Sequence, residues 1–374
     1  MDTNGYVMDI SDYMKIKLSF KPEVYQKLSM QLSVLDTYKG SWKVKVNPQG
    51  KYVKELRKTA TIESTGSSTR IEDARLTNEK VKKLLATKNT KKITSFESSD
   101  EQEVAGYYDA LEAILENYRE MKISEPYLHQ LHEILLRYSV RDQPHIGKYK
   151  TSSNKIVVID PDGSQRTIFN PTPPHQTTAE MIQLIEWLNE RMIKQDIHPL
   201  VCIAGFVYEF LSIHPYKDGN GRLSRLLTTL LMMKEGYEFV QYASFESVIE
   251  SSKDQYYRAL MEGQQNRFKE NERIDEWVLY FIKGLITLTE RLEAKYVIIS
   301  KLKTALNKRQ QEVLDFIRDN EPSQVGDIEK ALNESRNTLK KDLAYLVMEG
   351  LLLKTGERKG SRYHYRKDPI STGL

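Results

Sequence analysis

Apolar residues recur at helical spacing through most of this chain and change to strict alternation in only a few places. The expected fold is therefore mainly α-helical with small β elements. Leu28, Leu32, Val34 and Leu35 predict an early helix, broken at Tyr38-Lys39-Gly40-Ser41. Beyond it Trp42, Val44, Val46 and Tyr52 alternate with lysines, the pattern of a short strand or extended arm. Residues 53–62 have helical character, interrupted by Ser64-Thr65-Gly66. Residues 67–73 then read as a short polar helix opened by capping serines. Three amphipathic helices follow between Asn78 and Leu136, where His129 and His132 are expected at the surface or half-buried.

Alternation over residues 149–159, the turn signal Asp160-Pro161-Asp162-Gly163 and Thr167-Ile168-Phe169 predict a β-hairpin flap within residues 148–170. A helix opening at Thr178 comes next. The run from Leu200 to Leu211 is apolar nearly all round, which predicts a central buried helix. His198 is expected to serve its start. Helices are expected again at 222–234, 245–263 and 272–303. After Asn307 three short helices and two strands predict a winged helix-turn-helix. The expected organisation is an N-terminal region 1–95, a helical core 96–300 and a C-terminal module 305–374.

Composition narrows this only slightly. In 374 residues, 56 basic and 52 acidic side chains leave a formal net charge of +4. That balance does not announce a nucleic-acid protein by itself. A lone cysteine, Cys202, rules out a disulfide framework and a cysteine zinc site within the chain. No apolar run approaches membrane-spanning length, and the first residues lack the pattern of a signal peptide. A soluble cytoplasmic protein is expected.

The chemistry concentrates in His214-Pro215-Tyr216-Lys217-Asp218-Gly219-Asn220-Gly221-Arg222-Leu223-Ser224-Arg225. A glycine-rich loop at a helix N-terminus presents unpaired N–H groups and the positive dipole end, which suits a phosphate. Arg222 and Arg225 project from one side of the first turn. Asp218 is a hard oxygen donor of the kind that holds Mg²⁺ shared with substrate phosphates. His214, at the mouth, is placed to take a proton from a hydroxyl.

These twelve residues resemble the Fic motif, HPFx[DE]GNGRxxR, departing only at Tyr216 where phenylalanine is usual. The resemblance runs over roughly residues 60–290 by order of elements. It implies transfer of AMP from Mg·ATP to a Ser, Thr or Tyr hydroxyl of a target protein, with His214 as general base and Asp218 as the Mg²⁺ ligand. Gly219, Asn220 and Gly221 would form the anion hole, and Arg222 and Arg225 would contact the β- and γ-phosphates. Ser68-Thr69-Arg70-Ile71-Glu72 resembles the family's inhibitory motif, [ST]xxxE[GN], with Asp73 in place of glycine or asparagine. Glu72 would then pair with Arg225 and draw it off the γ-phosphate; in some relatives this glutamate supports AMP removal instead. The flap, through Lys150, Ile156, Val157 and Val158, would align the target segment by strand addition.

Two other readings stand beside this one. Arg336, Asn337, Lys340, Arg358 and Arg362 could make the C-terminal module a DNA-binding regulator served by a nucleotide-sensing site, with Asp342 and Glu349 diluting its basic face. The same module could equally be a packing or dimerisation domain. The loop itself could serve a de-AMPylating enzyme, or one that transfers UMP or phosphocholine. The target protein, and whether the chain modifies itself or pairs as a homodimer, are not written in these motifs.

Overall fold

A computed structural model describes residues 14, 17–46, 51–90, 96–154, 156–159, 165–269, 272–349, 351–356 and 360–366. The chain divides into two compact units, Met1–Leu292 and Glu293–Leu374. Eleven of the helices, in order, are α1 Pro22–Lys45, α2 Lys51–Ile71, α3 Asn78–Thr90, α4 Ser99–Asn117, α5 Glu125–Leu136, α6 Pro174–Lys194, α7 Pro199–Ile213, α8 Asn220–Lys234, α9 Phe245–Ser251, α10 Lys253–Gln264 and α11 Asp275–Ala305. Strands β1 Ile156–Ile159 and β2 Gln165–Phe169 lie between α5 and α6.

The first unit is built round α7. Every residue from Leu200 to Ile213 is buried, as its all-round apolar pattern requires. Helices α6 and α8 pack on its two sides, and α8 also contacts α4 and α5. His198 caps α7, its Nδ1 accepting from the Leu200 N–H at 3.2 Å. Where α4 passes α5, a side chain on Gly106 would overlap the carbonyl oxygen of Leu135. Backbone cannot give way as a flexible side chain can. Gly106→Ala is therefore expected to cost about 1–3 kcal/mol, seen as a thermal midpoint several degrees lower; an unchanged midpoint would mean the two helices separate freely.

Two expected breaks are absent. The early helix runs through Gly40 to Lys45, because Leu28, Leu32, Leu35 and Trp42 form one buried stripe. A single helical glycine costs only about 1 kcal/mol. Val44 is left 90% exposed, so the alternation seen in sequence carries no strand. Likewise α2 continues through Ser64-Thr65-Gly66 to Ile71. The hydroxyls of Thr61, Thr65 and Thr69 donate to the carbonyls of Arg57, Thr61 and Thr65 at 3.0, 2.7 and 3.1 Å, satisfying themselves within the helix. Small residues suit this face because α4 and α9 pack against it.

The flap is an antiparallel pair, with Ile156 opposite Phe169, Val157 opposite Thr167 and an irregularity between Ile156 and Val157. The turn signal at 160–163 lies outside the described residues. Helix α6 begins at Pro174, four residues before the expected start, and the helix expected at 245–263 is two helices meeting at Ser252.

In the second unit α12 Lys308–Asp319, α13 Val325–Leu332 and α14 Arg336–Met348 precede an antiparallel pair, β3 Leu352–Thr355 and β4 Arg362–Tyr365. Val313, Ile317, Ile328, Leu339, Leu343 and Leu346 make its core with Leu352 and Tyr363. Ser323 adds a backbone bridge to Tyr363, donating at 3.1 Å and accepting at 2.9 Å. Among the described residues no helix is long and apolar enough to cross a membrane.

Candidate active site

Helix α7 ends on His214, whose φ of 52° and ψ of 60° are left-handed. A β-carbon is disfavoured there, so the surroundings must hold this conformation. They do so through carbonyls. The Ile213 oxygen accepts from the Lys150 ammonium at 2.9 Å, and the Pro215 oxygen from the Lys150 N–H at 2.8 Å. The Asn154 amide donates to the Tyr216 oxygen at 3.2 Å and, more weakly, to that of His214 at 3.4 Å. Burial pulls the His214 pKa down to about 4, helped by the charge of Lys150 and opposed by Glu72 and Asp218. A neutral imidazole therefore stands at the mouth of the loop at physiological pH.

The loop beyond is fixed from inside. Asn220 is buried and closes it on Tyr216, accepting from that N–H at 2.9 Å and donating to its oxygen at 2.8 Å. Its side chain is thus committed, and any part it takes in binding an anion falls to its backbone N–H. Gly219, at φ 79°, ends the loop, and α8 starts at Asn220. Its first N–H groups have no partners within the helix.

His132 is a further support that spacing did not reveal. Fully buried rather than half-exposed, it accepts from the Gly147 N–H through Nδ1 at 2.9 Å. Its Nε2 therefore carries the proton and donates to the Asp218 carbonyl at 3.0 Å. Its ring stacks on Tyr216 with centroids 3.9 Å apart, and the Tyr216 hydroxyl reaches His129 Nδ1 at 3.0 Å. Tyrosine in place of phenylalanine is explained by that bond. Burial lowers the His132 pKa to about 4, so it stays a neutral brace.

The charged groups converge on the start of α8. Arg222 reaches Asp218 at 2.8 Å and, from α4, Glu103 at 3.0 Å. Burial raises the Glu103 pKa, and Arg222 opposes the rise. Arg225 is held by the end of α2: its Nε donates to the Ser68 hydroxyl at 2.8 Å, and its Nη2 to the Ser68 carbonyl at 3.0 Å and the Glu72 carboxylate at 2.8 Å. Burial works against the Arg225 charge, yet the Glu72 carboxylate outweighs it and raises the pKa. A β-carbon on Gly221 would collide with that carboxylate. Glu72 thus lies directly against the backbone where α8 begins.

Ser68 accordingly sits within a helix and not at its start. Arg70 fixes the same end, clamping both Glu250 oxygens on α9 at 2.6 and 2.9 Å and donating to the Leu76 carbonyl at 2.9 Å. Asp73 has φ 71°, which explains why glycine or asparagine suits this position. Its carboxylate turns outward to Lys253 at 2.8 Å and is 90% exposed.

The remaining expected residues fall elsewhere. Lys150 precedes the hairpin and is buried, so its side chain is not offered to a target. Ile156, Val157 and Val158 form β1 as expected. On α14, Arg336, Asn337 and Lys340 are exposed, as is Arg362 on β4; Arg358 lies outside the described residues. Asp342 does not dilute that face, because it is buried and paired with Arg309 at 2.6 Å.

Known proteins share this helical fold. Residues 122–232 match the Fic/DOC family. The fold resembles a Fic family protein from Desulfovibrio desulfuricans, at TM-score 0.60 and 20% identity over 96% of this chain and 99% of that one. A Fic-domain signalling protein from Bacteroides thetaiotaomicron gives TM-score 0.55 and 23% identity over 71% and 97%. Residues 122–232 thus match the Fic/DOC family, within a mainly helical fold like those of these solved Fic proteins. Among curated proteins, protein adenylyltransferase fic-1 of Caenorhabditis elegans is 35% identical over 69 residues, 18% of this chain and 13% of the relative. Protein adenylyltransferase Fic of Drosophila erecta is 40% identical over 67 residues, again 18% and 13%. The match thus spans 13% of the length of these relatives.

Proposed function

We propose that this chain is a protein adenylyltransferase restrained by its own Glu72. The observation that carries the reading is the neutral imidazole of His214 beside a helix N-terminus flanked by Arg222 and Arg225. His214 accepts the proton of a target hydroxyl as that oxygen bonds to the α-phosphorus of ATP. The bond from that phosphorus to the bridging oxygen breaks, and pyrophosphate leaves. The N–H groups from Gly219 to Gly221 and the two guanidinium groups stabilise charge on the phosphates; such positioning and electrostatics supply most of the catalysis. The partial match to proteins named adenylyltransferases supports the choice of AMP.

Among the described residues no three His, Cys, Asp or Glu side chains gather into a metal cage. A single carboxylate at the loop fits a Mg²⁺ that is shared with substrate phosphates, and Asp218 is the residue that would hold it. Bound there, the ion would neutralise phosphate charge.

Restraint follows from where Glu72 lies. Its carboxylate occupies the start of α8 and holds the guanidinium that a γ-phosphate would need. Intact-mass measurement after incubating the Glu72→Gly protein with Mg·ATP and a cell extract tests the reading. A mass increment of one AMP on this chain or on an extract protein supports it. A UMP or phosphocholine increment, given those donors, or AMP removal alone would replace it.

A second reading is favoured for the C-terminal unit by the burial of Asp342, which leaves Arg336, Asn337, Lys340 and Lys341 together on the exposed face of α14. We infer that this unit is a winged helix-turn-helix that contacts DNA phosphates. Duplex binding should weaken as salt rises, and Arg336→Ala with Lys340→Ala should lower the slope of log affinity against log salt by about 2. A packing or dimerisation module would show neither effect.

A further inference from the structure

The carbonyl oxygens from Ser212 to Tyr216 form an unbroken series, and each is met by a donor from outside α7. Arg267 donates to Ser212 at 3.2 Å. Lys150 and Asn154 serve the next four, as described above, and Lys150 Nζ also donates to Asn154 Oδ1 at 2.9 Å. The two side chains are thus tied to each other as well as to the turn. Lys150 is only 4% exposed. A buried ammonium needs a strong reason to be there, since desolvation opposes its charge.

One reason is ordinary: the last carbonyls of a helix lack partners, and cations suit the negative dipole end. That would account for Arg267 on Ser212. It does not account for donors that continue past the helix end, through the left-handed residue, to Tyr216. Those bonds fix the direction in which His214 leaves the backbone. We propose that Lys150, with Asn154, is a positioning residue for His214, holding by its carbonyls the turn on which the imidazole stands. This rests on the adenylyl-transfer reading of the site.

The charge of Lys150 has a second effect. The charged groups acting on His214 are Lys150 from the segment before the hairpin, Glu72 from the end of α2 and Asp218 from the loop itself. Glu72 and Asp218 favour the protonated ring, while Lys150 opposes it. Without Lys150, the imidazole keeps its burial but loses the cation whose charge opposes its protonation.

The test uses the full-length Glu72→Gly protein, with Lys150→Met, Lys150→Arg and Asn154→Ala added singly. Lys150→Met is expected to lower kcat for AMP transfer by about 10- to 100-fold, the scale of a misplaced catalytic group. The KM for ATP should stay within about twofold, and Lys150→Arg should recover most of kcat. The Glu72→Gly parent lacks a carboxylate that favours the protonated ring, so its acid limb of kcat should lie no higher than about 4. Lys150→Met should move it up toward the ordinary imidazole range without reaching it. Imidazole NMR, assigned by His214→Ala, should report the same shift. If Lys150→Met does not fold, Asn154→Ala should lower kcat about tenfold with KM unchanged. A folded Lys150→Met protein with unchanged kcat and unchanged His214 titration overturns the proposal. So does a change confined to KM, or an Asn154→Ala protein with full kcat. Absence of AMP transfer in the Glu72→Gly parent defeats the functional reading instead, and the His214 titration then decides the role of Lys150 alone.

Discussion

Adding His214→Ala to the Glu72→Gly protein is expected to slow AMP transfer by roughly 10²–10⁴-fold, the contribution of a positioned base. The loss should fall on kcat, since the imidazole acts on the hydroxyl proton and holds none of the phosphates. His214 also predicts a pH profile. Its folded pKa of about 4 lies below the ordinary value for histidine. The base is thus unprotonated from neutral pH down to that value. Activity should hold between pH 7 and 5.5, where a surface histidine would already be protonating, and fall only as pH approaches 4. The same sign applies to stability: a buried neutral imidazole favours the folded state less as pH falls through the unfolded value. Transfer by the double variant at the rate of its parent would remove His214 from the chemistry.

The second large effect is the gain from Glu72→Gly itself. The change removes the charged hold on Arg225, leaving its two hydrogen bonds to Ser68, and takes away a carboxylate lying against Gly221. A charge-assisted hydrogen bond contributes about 1.5–3 kcal/mol. The Glu72 side chain is 35% exposed, so solvent screening places the effect near the low end. Transfer should rise about tenfold, with a lower KM for ATP. Glu72→Gln, which keeps the shape without the charge, should fall between the two. Equal transfer by wild type and Glu72→Gly would leave the contact purely structural. Asp73 should matter little to this balance, because its carboxylate faces Lys253 and not Arg225.

Sequence made the central parts legible for identifiable reasons. A run as apolar as that from Leu200 to Leu211 has nowhere to go but the core. Gly219 and Asn220 mark a loop whose backbone geometry few other residues support. Ser68 and Glu72, four apart, do share a face and do meet Arg225. Where reading failed, the deciding contacts were remote. Nothing near Ser64-Thr65-Gly66 announces that α4 and α9 will cover it, so a buried hydroxyl face looked like a break. His132 looked like a surface or half-buried residue because the Asp218 carbonyl it braces is 86 residues away. Glu103 and the Arg70–Glu250 clamp escaped for the same reason. Lys150 was assigned to the flap from its neighbours along the chain, whereas its ammonium answers to the end of α7.

The continuity of α2 changes what kind of signal can reach the candidate site. Its 21 residues make a rod about 31 Å long, not a loop carrying a loose glutamate. Such a rod transmits a push or a twist along its length. A partner gripping the Lys51 end could draw Glu72 away by sliding the whole helix, provided the motion also parted Arg70 from Glu250. Release would then be mechanical, resisted by that ion pair and by the packing of α4 and α9 along the same helix.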